Sequence, residues 1–103
     1  MPHKPIHPGE ILRDELDDLN INAAALARAI HVPANRISQI LAGKRNVSAD
    51  TALRLGKLFR TGPQFWLNLQ TAYELDLARA GGNSPDLSAI VPLADEVRAP
   101  VHP

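Results

Sequence analysis

Twenty-two residues, Asn22 to Gly43, leave the backbone few options. The run Ala23-Ala24-Ala25-Leu26-Ala27 strongly favours a helix. Asn22 before it is a natural N-cap, since its side-chain oxygen can accept an amide N–H that has no partner inside the helix. His31-Val32-Pro33 interrupts this helix near Ile30. A second helix over about 34–42 ends at Gly43, where glycine adopts the left-handed conformation at little cost. Neither helix is long enough to hold its shape alone in water, so each must pack on the other and on a core. Two short helices joined by a three-residue turn form a helix-turn-helix. The residue choices suit that geometry: Ala27 is small where the helices cross, Val32 fills the space after the turn, and Ile37, Ile40 and Leu41 face inward.

The same punctuation divides the rest of the chain. Pro8-Gly9-Glu10 opens a first helix: proline is tolerated in the first turn, and an acid is favoured at the positive end of the helix dipole. Leu12, Leu16 and Leu19 give it one apolar stripe, and Asn20-Ile21-Asn22 ends it. Ser48 caps a fourth helix, about 49–60, with Ala52, Leu55, Leu58 and Phe59 on its apolar side. Thr61-Gly62-Pro63 then breaks the chain before a fifth and longest helix, about 63–80. Residues 81–103 contain Pro85, Pro92, Pro100 and Pro103 and read as a partly flexible tail, with Ile90-Val91 as a candidate short extended segment. There is no internal repeat and no alternation long enough for a sheet. The expectation is an all-α chain: a five-helix domain over 1–80, then a C-terminal tail over 81–103.

Composition enters through charge. Eleven basic and eleven acidic residues cancel, which at first argues against a nucleic-acid partner. The cancellation is not local. Residues 1–20 carry Lys4 and Arg13 against five acids, net −3. Residues 21–60 carry Arg28, Arg36, Lys44, Arg45, Arg54, Lys57 and Arg60 against Asp50 alone, net +6. Residues 61–103 carry Arg79 and Arg98 against five acids, net −3. A basic centre between acidic flanks is compatible with DNA and also with a basic protein partner.

The helix-turn-helix reading places particular side chains. With Ile37 and Ile40 anchored inward, Ala34, Asn35, Arg36, Ser38 and Gln39 occupy the other side of the second helix. The N-terminal part of that helix enters the major groove in this motif. Asn and Gln can bond adenine through two hydrogen bonds, and Arg can do the same with guanine. These five residues are the expected base readers. Asn22 at a helix start and Lys44, Arg45 and Asn46 after the recognition helix are the expected phosphate contacts.

Other chemistries find no constellation. The absence of cysteine excludes disulfides and thiolate metal sites. His3 and His7 are separated by Lys4-Pro5-Ile6, which does not suit a helix, and His31 and His102 are isolated. Glu10, Asp14, Asp17 and Asp18 read as a solvated helix face. No catalytic residue, metal site or cofactor is expected. No apolar run reaches the roughly 18 residues of a membrane span, and the N-terminal residues lack a secretory signal pattern, so a cytoplasmic protein without membrane association is expected.

The fifth helix carries apolar residues around several faces: Phe65, Trp66, Leu67, Leu69, Tyr73, Leu75 and Leu77. A domain this small cannot bury all of them, and the pattern points to a partner surface. Phe65, Trp66, Leu69 and Tyr73 are the expected contacts of a homodimer, whose two recognition helices would meet the halves of an operator inverted repeat.

Taken together, several motifs resemble the HigA-type antitoxins, the VapI or virulence-associated protein I group of the XRE helix-turn-helix family. They are His7-Pro8-Gly9-Glu10-Ile11-Leu12, Leu26-Ala27, and Ile37-Ser38-Gln39-Ile40-Leu41-Ala42-Gly43-Lys44-Arg45. Further along they are Val47-Ser48-Ala49-Asp50-Thr51-Ala52-Leu53-Arg54-Leu55, Phe65-Trp66-Leu67-Asn68-Leu69-Gln70 and Tyr73-Glu74-Leu75. The resemblance spans residues 7 to about 78. It implies a λ-repressor-like five-helix domain, dimerisation, autorepression of a toxin–antitoxin operon through double-stranded DNA, and a small basic ribonuclease toxin as partner. Two features depart from the related pattern. Ala23 and Ala24 stand where glutamine often touches phosphate, which shifts weight to Asn22, and His31 stands where the turn often has glycine. A plain XRE-family repressor without a toxin would use the same DNA residues. Leu87, Ile90, Val91 and Leu93 of the tail, apolar enough to fold on a partner or on the chain's own core, would help to tell the two apart.

Overall fold

A computed structural model describes residues 4–81 and 85–94. It contains α1 (Pro8–Leu19), α2 (Ala23–Ala29), α3 (Ala34–Leu41), α4 (Ala49–Phe59), α5 (Pro63–Ala80) and a short α6 (Pro85–Ala89), with no strand among the described residues. The five expected helices are present, with ends that agree to within a residue. The tail differs in one respect: α6 is unanticipated, and residues 90–94 after it belong to no helix or strand. His3 and His102 lie outside the described residues.

The caps explain the helix starts. Asn22 Oδ1 accepts the Ala25 N–H at 2.8 Å, and Ser48 Oγ accepts that of Thr51 at 3.2 Å. α1 uses a cap the sequence reading missed. His7 Nδ1 accepts the Gly9 N–H at 2.8 Å, while Glu10 Oε2 accepts the His7 N–H at 3.3 Å, a reciprocal capping box. Gly9 follows because α1 starts hard against the end of α3, and a Cβ there would collide with the Ile40 carbonyl. α1 closes with Asn20 in the left-handed region at φ 56°.

The core is one cluster drawn from all five main helices. Leu12 and Leu16 of α1, Leu26 and Ala27 of α2, Ile37 and Ile40 of α3, Ala52 and Leu55 of α4, and Trp66 of α5 meet with Ile30 and Val47. α4 packs on α5, α2 on α3, and α1 on both α3 and α5. Not every stripe residue goes inward: Leu19 and Leu58 are exposed and Leu41 is half-buried.

Trp66 requires a correction. It is 0% exposed, with Phe59 and Phe65 packed around its indole at ring-centroid distances of 5.8 and 5.1 Å. Its side chain belongs to the chain's own core and cannot line a dimer surface. Helical spacing placed it with Leu69 and Tyr73, but spacing does not say which side of α5 faces α4. Phe65 is 41% exposed, Leu69 and Tyr73 are half-buried, and Leu75 and Leu77 further along are 48% and 46% exposed. The apolar surface of α5 is therefore shifted towards its C-terminal half.

Candidate nucleic-acid interface

The turn between α2 and α3 is built from backbone bonds. The Ile30 N–H reaches the Leu26 carbonyl and the Val32 N–H reaches the Ala27 carbonyl, each at 3.0 Å. Ala27 is buried, which lets the two helices approach as expected. His31 sits between them at φ 60°, in the left-handed region where glycine is the usual occupant. Its conformation is supported from α4: Arg54 Nη1 donates to the Ile30 carbonyl at 2.9 Å and to the His31 carbonyl at 3.3 Å.

α3 presents its polar side as the sequence implied, but two of its long side chains are tethered. Ala34, Asn35 and Ser38 are exposed, with Ser38 Oγ donating to the Asn35 carbonyl at 3.2 Å. Arg36 is half-buried, and its Nη1 donates to Asp50 Oδ2 at 3.0 Å. Gln39 is half-buried as well, its Oε1 accepting from Arg45 Nε at 2.8 Å. Arg36 is thus not the uncommitted side chain that helix spacing suggested. The tethers limit the rotamer freedom of both residues before any ligand arrives, which lowers the ordering cost of a contact.

The basic loop after α3 is pinned at both ends. Gly43 takes φ 74°, its N–H bonds the Ile40 carbonyl at 3.0 Å, and the Lys44 N–H bonds the Gln39 carbonyl at 2.8 Å. That pattern is a Schellman motif. At the far end, the buried Gln70 side chain accepts the Val47 N–H at 2.8 Å and donates to Glu74 at 2.7 Å. Lys44, Arg45 and Asn46 are exposed between these anchors. Asn22 is exposed too, and its capping bond uses only the carbonyl oxygen, leaving the amide donors uncommitted.

Two residues of the site escaped the sequence reading. Asp50 and Arg54, in the first half of α4, were seen only as charges. In the fold, Asp50 Oδ2 accepts from Arg54 Nε at 3.0 Å as well as from Arg36. The Arg54 guanidinium, aided by Arg36, holds the Asp50 carboxyl below the usual carboxylate range. Their spacing of four on one helix was a usable signal. The link to Arg36, fourteen residues away in sequence, was not.

His7 lies beside the end of α3, next to Gly43. It is buried, its ring meets Tyr73 edge-on at a centroid distance of 4.8 Å, and burial pushes its pKa below 6.5. No group of three or more metal-binding side chains occurs among the described residues, and no helix there is long and apolar enough to cross a membrane.

Comparison with known proteins agrees with this geometry. The helix-turn-helix family profile matches residues 12–66. Virulence-associated protein I of Dichelobacter nodosus is 47% identical over 94 residues, covering 90% of this chain and 85% of the relative. The structure of an addiction module antidote protein of the HigA family from Coxiella burnetii superposes with a TM-score of 0.84 at 46% identity, covering 88% of this chain and all of the other. The Pseudomonas aeruginosa antitoxin HigA, solved with the higBA promoter, superposes at 0.81 with 49% identity, again covering 88% of this chain and all of that one.

Proposed function

The chain belongs to the XRE-type helix-turn-helix family that includes virulence-associated protein I and the HigA antitoxins, and from that premise we propose that it is the antitoxin and autorepressor of a toxin–antitoxin operon. Regulators of this family are not enzymes. The observation that carries the reading is α3 itself: a short recognition helix, anchored by Ile37 and Ile40, with Asn35, Arg36 and Gln39 on its polar side and a pinned basic loop after it. The Pseudomonas aeruginosa antitoxin HigA was solved with the higBA promoter, which supports DNA binding by this fold.

In this reading Ala34, Asn35, Arg36, Ser38 and Gln39 meet base edges, while Asn22, Lys44, Arg45 and Asn46 meet phosphates. Contacts to base edges specify and contacts to phosphates position. The protein acts as a homodimer in the cytoplasm, and Phe65, Leu69 and Tyr73, extended by Leu75 and Leu77, supply the apolar contact. Two recognition helices related by a two-fold axis then meet half-sites roughly 34 Å apart. The partner is a small basic ribonuclease. Leu87, Ile90, Val91 and Leu93, all exposed, support a role for the tail in holding it.

The test is a gel shift with the DNA upstream of the operon, with and without the product of the neighbouring gene. A retarded complex, a footprint over an inverted repeat and co-purification of the two products are the expected results. DNA binding with no association between the two products would leave a plain repressor. Failure to bind the upstream DNA would end the reading.

A further inference from the structure

Asp50 is the sole acid between residues 21 and 60, and it stands beside the recognition helix. It is the second residue of α4, and its side chain is 55% exposed. One oxygen, Oδ2, accepts from Arg36 of α3 and from Arg54 of α4, each at 3.0 Å. Arg54 continues the chain of contacts to the carbonyls of Ile30 and His31 in the turn. A single carboxylate therefore holds an arginine of the recognition helix on a scaffold fixed to the turn. We propose that Asp50 is a specificity-determining residue: it withholds Arg36 from DNA phosphates, so that the guanidinium engages DNA only where a base edge offers it a matched pair of acceptors. The inference rests on the operator-binding reading above.

The physical case follows from what each contact is worth on the wrong DNA. A phosphate contact is available on every sequence, so a free arginine strengthens all complexes alike and releases counterions in each. Pairing with Asp50 cancels much of the Arg36 charge as a phosphate sees it, and the carboxylate itself is repelled by the DNA backbone. A guanine edge offers two acceptors, O6 and N7, to the planar fork of the guanidinium. The pair with Asp50 uses only Arg36 Nη1, so the remaining guanidinium N–H groups can meet that edge with the pair intact, whereas swinging out to a phosphate breaks it. The unfavourable element acts on non-cognate DNA more than on the operator, and such an element is a general route to selectivity.

The test measures fluorescence anisotropy of the full chain on labelled operator duplex and on a scrambled duplex of equal composition, over a range of salt. Asp50→Asn should tighten scrambled-DNA binding about three- to tenfold and steepen its salt dependence by about one unit, the increment expected for one added phosphate contact. Operator binding should move less than about twofold, so selectivity falls by nearly the whole gain on scrambled DNA. Asp50→Glu, which keeps the charge, should restore most of the selectivity. With Arg36→Ala already present, Asp50→Asn should lose most of its effect. Should Asp50→Asn fail to fold, Asp50→Ser supplies a neutral replacement suited to a helix start. A purely structural role predicts something else, equal weakening on both duplexes, and that outcome overturns the proposal. Unchanged selectivity in Asp50→Asn overturns it too, as does a full effect that persists without Arg36. Wild-type protein that binds both duplexes equally overturns the operator-binding reading, and this proposal with it.

Discussion

Two surfaces of the main domain treat their side chains in opposite ways. Around α3 the long polar groups are tethered inside the protein: Arg36 to Asp50, Gln39 to Arg45, and the loop beyond them to Gln70. In the C-terminal half of α5, Leu75 and Leu77 are apolar and largely uncovered. A surface that must tell one polar pattern from another benefits from side chains held in place, because each hydrogen bond then carries geometric information. An apolar surface stabilises a complex by leaving water, which is non-directional and needs no such tethers. The proposed division, reading at α3 and association along α5, follows this contrast.

The strongest way to break this contrast is at Trp66. Trp66→Ala should destabilise the fold by about 3–5 kcal/mol, as for other large buried aromatics, and thermal melting followed by circular dichroism will show it. Leu75→Ala should leave the folded protomer within about 0.5 kcal/mol of wild type, as expected of a surface position, while weakening the dimer in sedimentation. If the two variants behave alike, α5 is not divided into a core half and an exposed half.

Next in size is the recognition side. Gln39→Ala should cost about 1–3 kcal/mol at the base pair it reads and relax preference there, measured by anisotropy on a set of singly substituted operators. Arg45→Ala should lower the salt slope by about one unit. Because Arg45 also holds Gln39, it should relax the same base preference in part. Uniform weakening on all operators in Arg45→Ala would show that the bond between the two residues does not survive on DNA.

Asn22→Ala tests whether a cap and a phosphate contact coincide. Loss of the cap should cost about 1 kcal/mol of stability by denaturant titration. A matching loss of affinity on operator and scrambled DNA alike is expected. Stability loss without affinity loss would make Asn22 a cap alone.

The smallest effect is a pH dependence at His7, beside the C-terminal end of α3. Burial favours neutral His7, so the unfolded chain binds a proton that the native protein resists. The resulting stability is fully present above the ordinary histidine pKa of 6.5 and is lost as pH falls from there towards the lower native value. Melting temperature against pH should therefore drop below 6.5, and replacing His7 by Asn, which keeps a capping oxygen, should flatten that drop. An unchanged slope would place the titration elsewhere.

Much of this molecule was legible because its decisive signals are local. Asn22, Ser48 and Gly43 announce helix ends through hydrogen bonds and φ values that span only a few residues. His31 takes the left-handed turn position that the missing glycine implied. Ile37 and Ile40 follow from periodicity, since inward positions on a short helix repeat every three to four residues. Leu19 and Leu58 show the limit of that reasoning: periodicity defines a stripe but not where the neighbouring helix stops.

Five of the helices, the caps at Asn22 and Ser48, the helix-turn-helix and the basic centre between acidic flanks follow from the amino-acid sequence alone. All of these depend on short-range backbone geometry or on counting charge. The tertiary structure alone decided that Trp66 is core, that Leu75 and Leu77 carry the exposed apolar surface of α5, and that Asp50 holds Arg36. Each of those depends on which side chains from separate helices fall within a few ångströms of one another. Chain spacing along one helix carries no record of that, because the crossing of helices is set by the packing of the whole core.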